Sequence, residues 1–316
     1  MNYKTEFLEK KIINESKYTK NLKSISNEGA AQRRIQKRII LDKVASVFFL
    51  LSTLFALVVL GILIFRIWRQ SIGWLNVGFL KGNLSIFPEK AGIYGVIIGS
   101  IRLMGVVTPV TIAIGVATAI YLEEYANKGK LQSFIKTNIS NLAGVPSVIF
   151  GLLGLTVFGR FLNLGSSILA GGLTMSLLVL PIVVVASQEA IRAVPDFLRD
   201  ASYAMGASKW TTIRTVVLPV ALPGIMTGSI LSLSRAIGET APLVVLGIPT
   251  LILKVPTNMM DDFTALPIQI YYWTLDTVLT PEYANLAAAT IVVLLVMLFL
   301  MNSVAIFIRN RFQKRY

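Results

Sequence analysis

The chain has 316 residues, 54% of them hydrophobic, and a mean hydropathy of +0.70, which excludes an ordinary soluble domain and fits a membrane protein. It contains no cysteine and no histidine, so it offers no disulfide, thiolate nucleophile, Cys or His metal ligand, or imidazole base. A net charge of +14 would suit nucleic acid in a soluble protein, but here it fits Lys and Arg gathered on the cytoplasmic side of bilayer spans.

In chain order, residues 1–43 hold 11 basic and 5 acidic side chains with little periodicity, which predicts a mostly disordered tail able to touch anionic headgroups. Residues 44–65 carry no charge over 22 positions, about 33 Å of helix, enough for a hydrocarbon core of roughly 30 Å. That run begins too late and is too long for a cleavable signal, and reads as an uncleaved anchor. Further apolar runs follow at 92–122 (with Arg102, and a kink expected near Pro109), 138–159, 166–187 (with Pro181), 220–246 (with Arg235 and Glu239) and 286–308. The expectation is an all-α membrane protein with six transmembrane helices. Neither an internal repeat nor a separate soluble domain is visible, and 66–91 and 248–285 are the sizeable outer loops.

Charge asymmetry orients the spans. With a cytoplasmic N-terminus, the inner segments 1–43, 123–138, 188–219 and 309–316 hold 11, 3, 4 and 4 Lys plus Arg. The outer segments hold six in all: Arg66, Arg69, Lys81, Lys90, Arg160 and Lys254. Both termini are therefore expected in the cytoplasm, with the chain multi-pass in the plasma (inner) membrane.

The segment 190–219 interrupts this apolar chain with a mixed stretch. Pro195 breaks or starts a helix, Asp196 or Asp200 can cap an N-terminus, and Gly206 permits a turn or a close approach. Trp210 and Ile213 share a face at i, i+3, and Leu218-Pro219 ends the segment. Two short helices across a bend, lying at the cytoplasmic surface, are predicted. The simplest account is an interfacial amphipathic linker. The segment also resembles the "EAA" loop of ABC importer permeases, a Glu-Ala-Ala with Gly six residues after the Glu, and Ile-x-Leu-Pro beginning ten residues after the Gly. Here those positions are Asp200, Ala201, Ser202, Gly206, Val216, Leu218 and Pro219, with mild departures at Asp200, Ser202 and Val216.

The likeness extends to AIYLEEYA (119–126), NLAGVPSVIFGLLGL (141–155), GASKWTTIRTVVLPVALPGIMTG (206–228) and SLSRAIGETAPL (232–243). Over roughly 90–310 the chain is similar to the PstA-type permeases of phosphate ABC importers. The resemblance implies a type I ABC importer permease fold, with the EAA loop as a coupling helix seated on a separate ATPase. Asp200, Ala201, Ser202, Gly206, Ala207, Lys209, Trp210, Leu218 and Pro219 would then form the coupling segment. It further implies alternating access, with a PstC-type second permease, a PstB-type ATPase dimer and an extracytoplasmic PstS-type phosphate-binding protein as partners. No cofactor would be bound by this chain and no catalysis carried out by it. ATP and Mg would be used by the ATPase, in keeping with the absence of G-x-x-x-x-G-K-[ST] here.

The intramembrane charges need their own account. A charge at the bilayer centre costs on the order of 2.5–3.5 kcal/mol by insertion scales and usually faces a bundle interior or wet cavity. A ring of ion pairs joining helices would satisfy this. So would an anion path, in which an Arg fork matches phosphate oxygens. Arg235 and Glu239, at i, i+4, are expected on one helix face. Protonated phosphate can donate a hydrogen bond to Glu239, whereas sulfate would meet an unpaired like charge. Ser232, Ser234 and Thr240 add hydroxyls. The family resemblance associates Arg235 and Glu239 with the substrate path, while Arg102 enters on membrane cost alone. Gly144, Gly151 and Gly154 are read as close-packing positions, Pro146 and Pro181 as kinks, and Glu123-Glu124 as a solvated helix end, with a part in seating the ATPase as the alternative. Alternatives are a permease for another oxyanion (molybdate, sulfate or phosphonate), an ATP-independent channel or secondary transporter, and a scaffold without flux.

Overall fold

The computed structural model describes the backbone of residues 3–127, 129–252 and 254–312, and side chains from Gln36 to Arg311 within that range. The chain divides into two units, residues 1–66 and 67–316. The described residues of the first lie within one helix, α1 (Tyr3–Ser71), so the backbone is helical from Tyr3 where the sequence suggests an irregular tail and a separate anchor. The reason is local. No proline occurs before Pro88, and Gly29 and Gly61 are the sole glycines ahead of Gly73, so nothing in the sequence stops a helix. From Gln36 to Arg66 the side chains are exposed.

In the second unit, α2 (Val77–Lys81), capped by Asn76, precedes α3 (Tyr94–Ile120), which continues as a π-helical turn over Tyr121–Tyr125. Then follow α4 (Lys130–Leu142) and α5 (Ser147–Leu153), the latter running into a π-helical stretch at Gly154–Phe161. Next come α6 (Ile168–Arg192), α7 (Asp196–Ala204), α8 (Lys209–Thr212), a π turn at Ile213–Val217 and α9 (Leu218–Gly238). α10 (Ala241–Val245), α11 (Leu266–Asp276) and α12 (Tyr283–Phe312) complete the unit. Among the described residues, five stretches are long and apolar enough to cross a membrane: Gln36–Ser71, Tyr94–Tyr125, Ile168–Arg192, Lys209–Gly238 and Tyr283–Arg311.

The run expected as a straight span over 138–159 is instead bent by 103° between α4 and α5. Gly144 lies at that bend and Pro146 is the N-cap of α5, so this glycine serves the turn and not helix packing. Gly151 does pack closely, since a Cβ there would stand 2.9 Å from the Cα of Pro242. Pro109 and Pro181 are carried inside continuous α3 and α6.

Three helices form the centre. α3 and α6 run parallel, because Gly99 and Gly171 near their N-termini both meet the 263–264 segment, while Glu123 and Arg192 meet at the far end. α9 runs antiparallel to α6, with Gly224 against Ala190 and Gly228 against Ala186. Small residues at such crossings let backbones approach and gain van der Waals contact, the main attraction left between helices in lipid. α12 is tied to α9 by Asn302 on Ser234 and by Arg309, whose Nη1 donates to the Thr227 hydroxyl at 3.3 Å.

The segment 258–265 locks one end. Ile168 and Leu169 donate their backbone N–H groups to the carbonyls of Asp261 and Met259, and Leu266 N–H donates to Ser100 Oγ at 2.8 Å. Phe263, fully buried, fills the core between α3 and α6. Phe263→Ala is expected to destabilise the protein by about 3–5 kcal/mol, read as a lowered melting temperature in detergent.

Candidate functional site

The charged pair stands partway along the bundle, where α9 stops short of the start of α6. Arg235 Nε donates to Glu239 Oε1 at 3.1 Å. The pair does not lie on a continuous helix face: α9 stops at Gly238, and Glu239 is its C-cap with extended backbone. Its carboxylate folds back over the helix end, where a preceding Arg also suits the negative end of the helix dipole. Arg235 lies about 26 Å along α9 from Leu218, and the register of Gly224 on Ala190 and Gly228 on Ala186 sets it level with the middle of α6. Its side chain is 59% exposed against 19% for Glu239, so the cation projects from this chain and the carboxylate sits inward. Among the described residues the terminal guanidinium nitrogens carry no hydrogen bond, which leaves the planar fork open to an oxyanion.

The hydroxyls divide differently from expectation. Ser232 is buried and donates to Gly228 O of its own helix at 2.8 Å. Ser234 donates to Ile230 O and meets the Asn302 amide, so it fastens α9 to α12. Both are committed to structure, since a helical Ser commonly bonds back one turn. Thr240 is half-buried directly after Glu239, and its carbonyl accepts from Leu243 and Val244. Arg102, in the first third of α3, lies nearer the 258–265 end of the bundle and acts on a different group, the Asp261 carboxylate. Backbone N–H groups of Asn258 and Thr257 and the Thr257 hydroxyl hold Asp261 below the ordinary carboxylate range, and Arg102 adds to this from further away.

At the opposite end, α7 and α8 meet across Gly206, whose φ of +80° is the left-handed value that glycine takes without strain. Its surroundings are open: an added Cβ meets nothing within 4 Å. α7 begins at Asp196 after Pro195, with no side-chain cap. Asp196 instead pairs with Arg199 at 3.0 Å, Asp200 is exposed within the helix, and Ser208 caps α8. The Ser202 and Thr212 hydroxyls, 2.9 Å apart, pin the two short helices together.

The expected coupling residues therefore separate. Asp200, Ala201, Gly206, Lys209 and Trp210 are exposed. Ala207 is half-buried, as are Ser202 inside the bend and Leu218 and Pro219 at the start of α9. Lys209 Nζ stands 5.0 Å over the Tyr125 ring. Trp210 and Ile213 do not share an environment, since Trp210 is 55% exposed and Ile213 fully buried. The outward surface also includes Phe197, Tyr203 and Met205, the last 88% exposed. Exposed aromatic and Met side chains gathered on one loop mark a contact surface.

Sequence reasoning missed the charges beneath this loop. Glu123 and Glu124, expected to be solvated, are 12% and 7% exposed. Glu123 Oε1 accepts from Lys136, Gln188 and Arg192 at 2.6, 3.1 and 3.0 Å. Glu124 Oε1 accepts from both Nε and Nη2 of Arg199, at 3.2 and 3.0 Å. Arg199 further donates to the carbonyls of Val194 and Ile191. The clue available was placement: the charge asymmetry already puts 123–124 and 192–199 on one side of the membrane.

These features define a class: a multi-spanning permease subunit with a charged pair within the bundle and, at one end, an exposed two-helix loop that carries aromatic, Met and charged side chains. The chain belongs to the family described as binding-protein-dependent transport system inner membrane component, whose model matches residues 111–316. It is 38% identical over 216 residues to the phosphate transport system permease protein PstA 1 of Mycobacterium tuberculosis H37Rv, covering 66% of this chain and 69% of that one. The Mycobacterium leprae phosphate transport system permease protein PstA is 34% identical over 293 residues, covering 87% and 91%. The probable ABC transporter permease protein YqgI of Bacillus subtilis is 34% identical over 207 residues, covering 65% and 70%. Among solved structures, the inward-facing MetNI methionine ABC transporter superposes with a TM-score of 0.55 at 18% identity, covering 71% of this chain and 95% of that one. A bacterial ABC transporter involved in alginate import superposes at 0.52 with 16% identity, covering 70% and 80%. The fold is that of a type I ABC importer permease.

Proposed function

We propose that this chain is the transmembrane permease subunit of an ATP-driven phosphate importer, carrying phosphate along a path shared with a second, similar permease. The observation that carries the reading is the Arg235–Glu239 pair, whose guanidinium is the more exposed partner. An Arg within a membrane helix is costly against lipid, so its open face belongs against a partner subunit or a wet path between subunits. The names of the mycobacterial relatives support phosphate over other oxyanions. ATP is hydrolysed by a separate ATPase seated on the α7–α8 loop, and phosphate is delivered by an extracytoplasmic binding protein. Co-purification of the tagged chain tests the assembly: recovery of an ATPase, a second permease and a phosphate-binding protein is expected, and recovery of none of them overturns the reading. Uptake of labelled phosphate by the reconstituted complex, with molybdate, sulfate and phosphonate as competitors, tests the substrate.

Orientation is part of this proposal. The α7–α8 loop, the end of α12 and α4 share one end of the bundle, and by the Lys and Arg asymmetry that end is cytoplasmic. Reporter fusions after Lys130 and Arg214 are expected to read cytoplasmic, and fusions near Asn83 and Asp262 extracytoplasmic. An extracytoplasmic signal at Arg214 overturns both the orientation and the ATPase contact.

A further inference from the structure

We infer that Glu123 and Glu124 are positioning residues that deliver movement of the α7–α8 loop to α3. The inference rests on the reading that this loop seats the ATPase. The two carboxylates occupy the π turn that ends α3, and adjacent residues of a helix point in different directions, so one turn serves two sets of partners. Glu123 binds Lys136 of α4 together with Gln188 and Arg192 of α6, and Glu124 binds Arg199 of α7. Among the described residues, no other side-chain hydrogen bond joins 196–212 to α3 or its π turn. Arg199 also grips the last carbonyls before α7, so it cannot move independently of the α6 end.

Burial separates this arrangement from an ordinary surface ion pair. An exposed pair dissolves into water at little cost. With Arg199 at 15% and Glu124 at 7% exposure, separation strands both charges in a poorly hydrated niche, so the two sides move together or not at all. Leu198 packs into the same end of the core with Ala119, Val194 and Val217, which backs the polar link with a close-packed one. A loop driven by an ATPase would thus pull on the end of α3, and the pull would travel along the helix toward Arg102.

The test uses the full transporter in proteoliposomes, with binding protein and labelled phosphate, and reads phosphate imported per ATP hydrolysed. Glu124→Gln is expected to keep the ATPase bound and hydrolysing while uptake per ATP falls by at least about ten-fold. Because the chain has no cysteine, the link can be rebuilt covalently. In an otherwise cysteine-free complex, Glu124→Cys with Arg199→Cys is expected to be uncoupled, then recoupled by a bis-methanethiosulfonate cross-linker, which joins each thiol through a disulfide with loss of methanesulfinate, and uncoupled again when a thiol reductant cleaves those disulfides. Unchanged uptake per ATP in Glu124→Gln, or a cross-linked pair that stays uncoupled, overturns the inference. So does loss of assembly in both variants, which assigns the carboxylates a structural role alone. A Gly206→Trp arm keeps the two readings apart: if it retains bound ATPase and coupled uptake, the docking reading fails whatever the Glu124 variants do.

Discussion

Arg235→Gln is expected to abolish phosphate flux while the ATPase stays bound. Arg235 is separated from the α7–α8 loop by most of α9, so the substitution leaves the docking surface untouched. What it removes is the exposed cation, and hydrogen bonds to a charged ligand are worth about 1.5–3 kcal/mol, a ten-fold effect or more. Glu239→Gln is the finer probe. A carboxylate accepts the hydrogen bond that protonated phosphate donates and repels a fully ionised oxyanion, whereas an amide can donate as well as accept. Sulfate flux relative to phosphate is therefore expected to rise in Glu239→Gln. The measurement needs a reconstituted complex that bypasses the binding protein, which would otherwise filter substrates first. Normal transport by Arg235→Gln would reduce the pair to a structural tie. Loss of phosphate flux in Glu239→Gln, without a relative gain for sulfate, would keep the path and remove the proton-reading role.

The second large effect is expected at Gly206. Gly206→Trp should prevent recovery of the ATPase with the tagged chain and stop ATP-driven uptake, while the spans still insert. Gly206 is exposed and a Cβ added there meets nothing within 4 Å, so a Trp side chain starts from open space and protrudes from the proposed docking face. A backbone control is needed, because any side chain at φ +80° carries strain. Gly206→Asn accepts that conformation more readily and adds little bulk, so it should retain most binding. Equal loss in both variants would trace the defect to the turn, and intact assembly in Gly206→Trp would remove the docking role.

Much of this was legible in the sequence for a physical reason: long uncharged runs and Lys and Arg asymmetry follow from the cost of charge in hydrocarbon, which acts on composition alone. Residues 92–122, 166–187 and 286–308 correspond closely to α3, α6 and α12. The 138–159 run misled because Asn138–Leu142 belongs to an amphipathic helix ending at a sharp bend, and hydropathy does not register angles. The α7–α8 bend was readable from Gly206 and Pro195, whose backbone preferences are local. The burial of Glu123 and Glu124 was not, because apart from Lys136 their partners stand 65 to 75 residues further along the chain. Ser232 and Ser234 looked available although a helical Ser commonly bonds back one turn, as Ser232 does to Gly228; the contact of Ser234 with Asn302, 68 residues on, leaves no mark on nearby sequence.

The seam between α3 and α6 limits how such a transporter can change shape. Gly172 faces Val106, Gly115 faces Val183, and the Phe263 ring presses on Gly171, so each helix is notched where the other protrudes. Sliding one past the other by a turn, about 5.4 Å, would drive those side chains into backbone. The pair is therefore confined to tilting as one block, like two planks doweled together. Amide hydrogens along that seam should exchange with deuterium slowly whether the transporter is resting or turning over, and fast exchange should gather at the break between Gly238 and Ala241, where the helix has already ended.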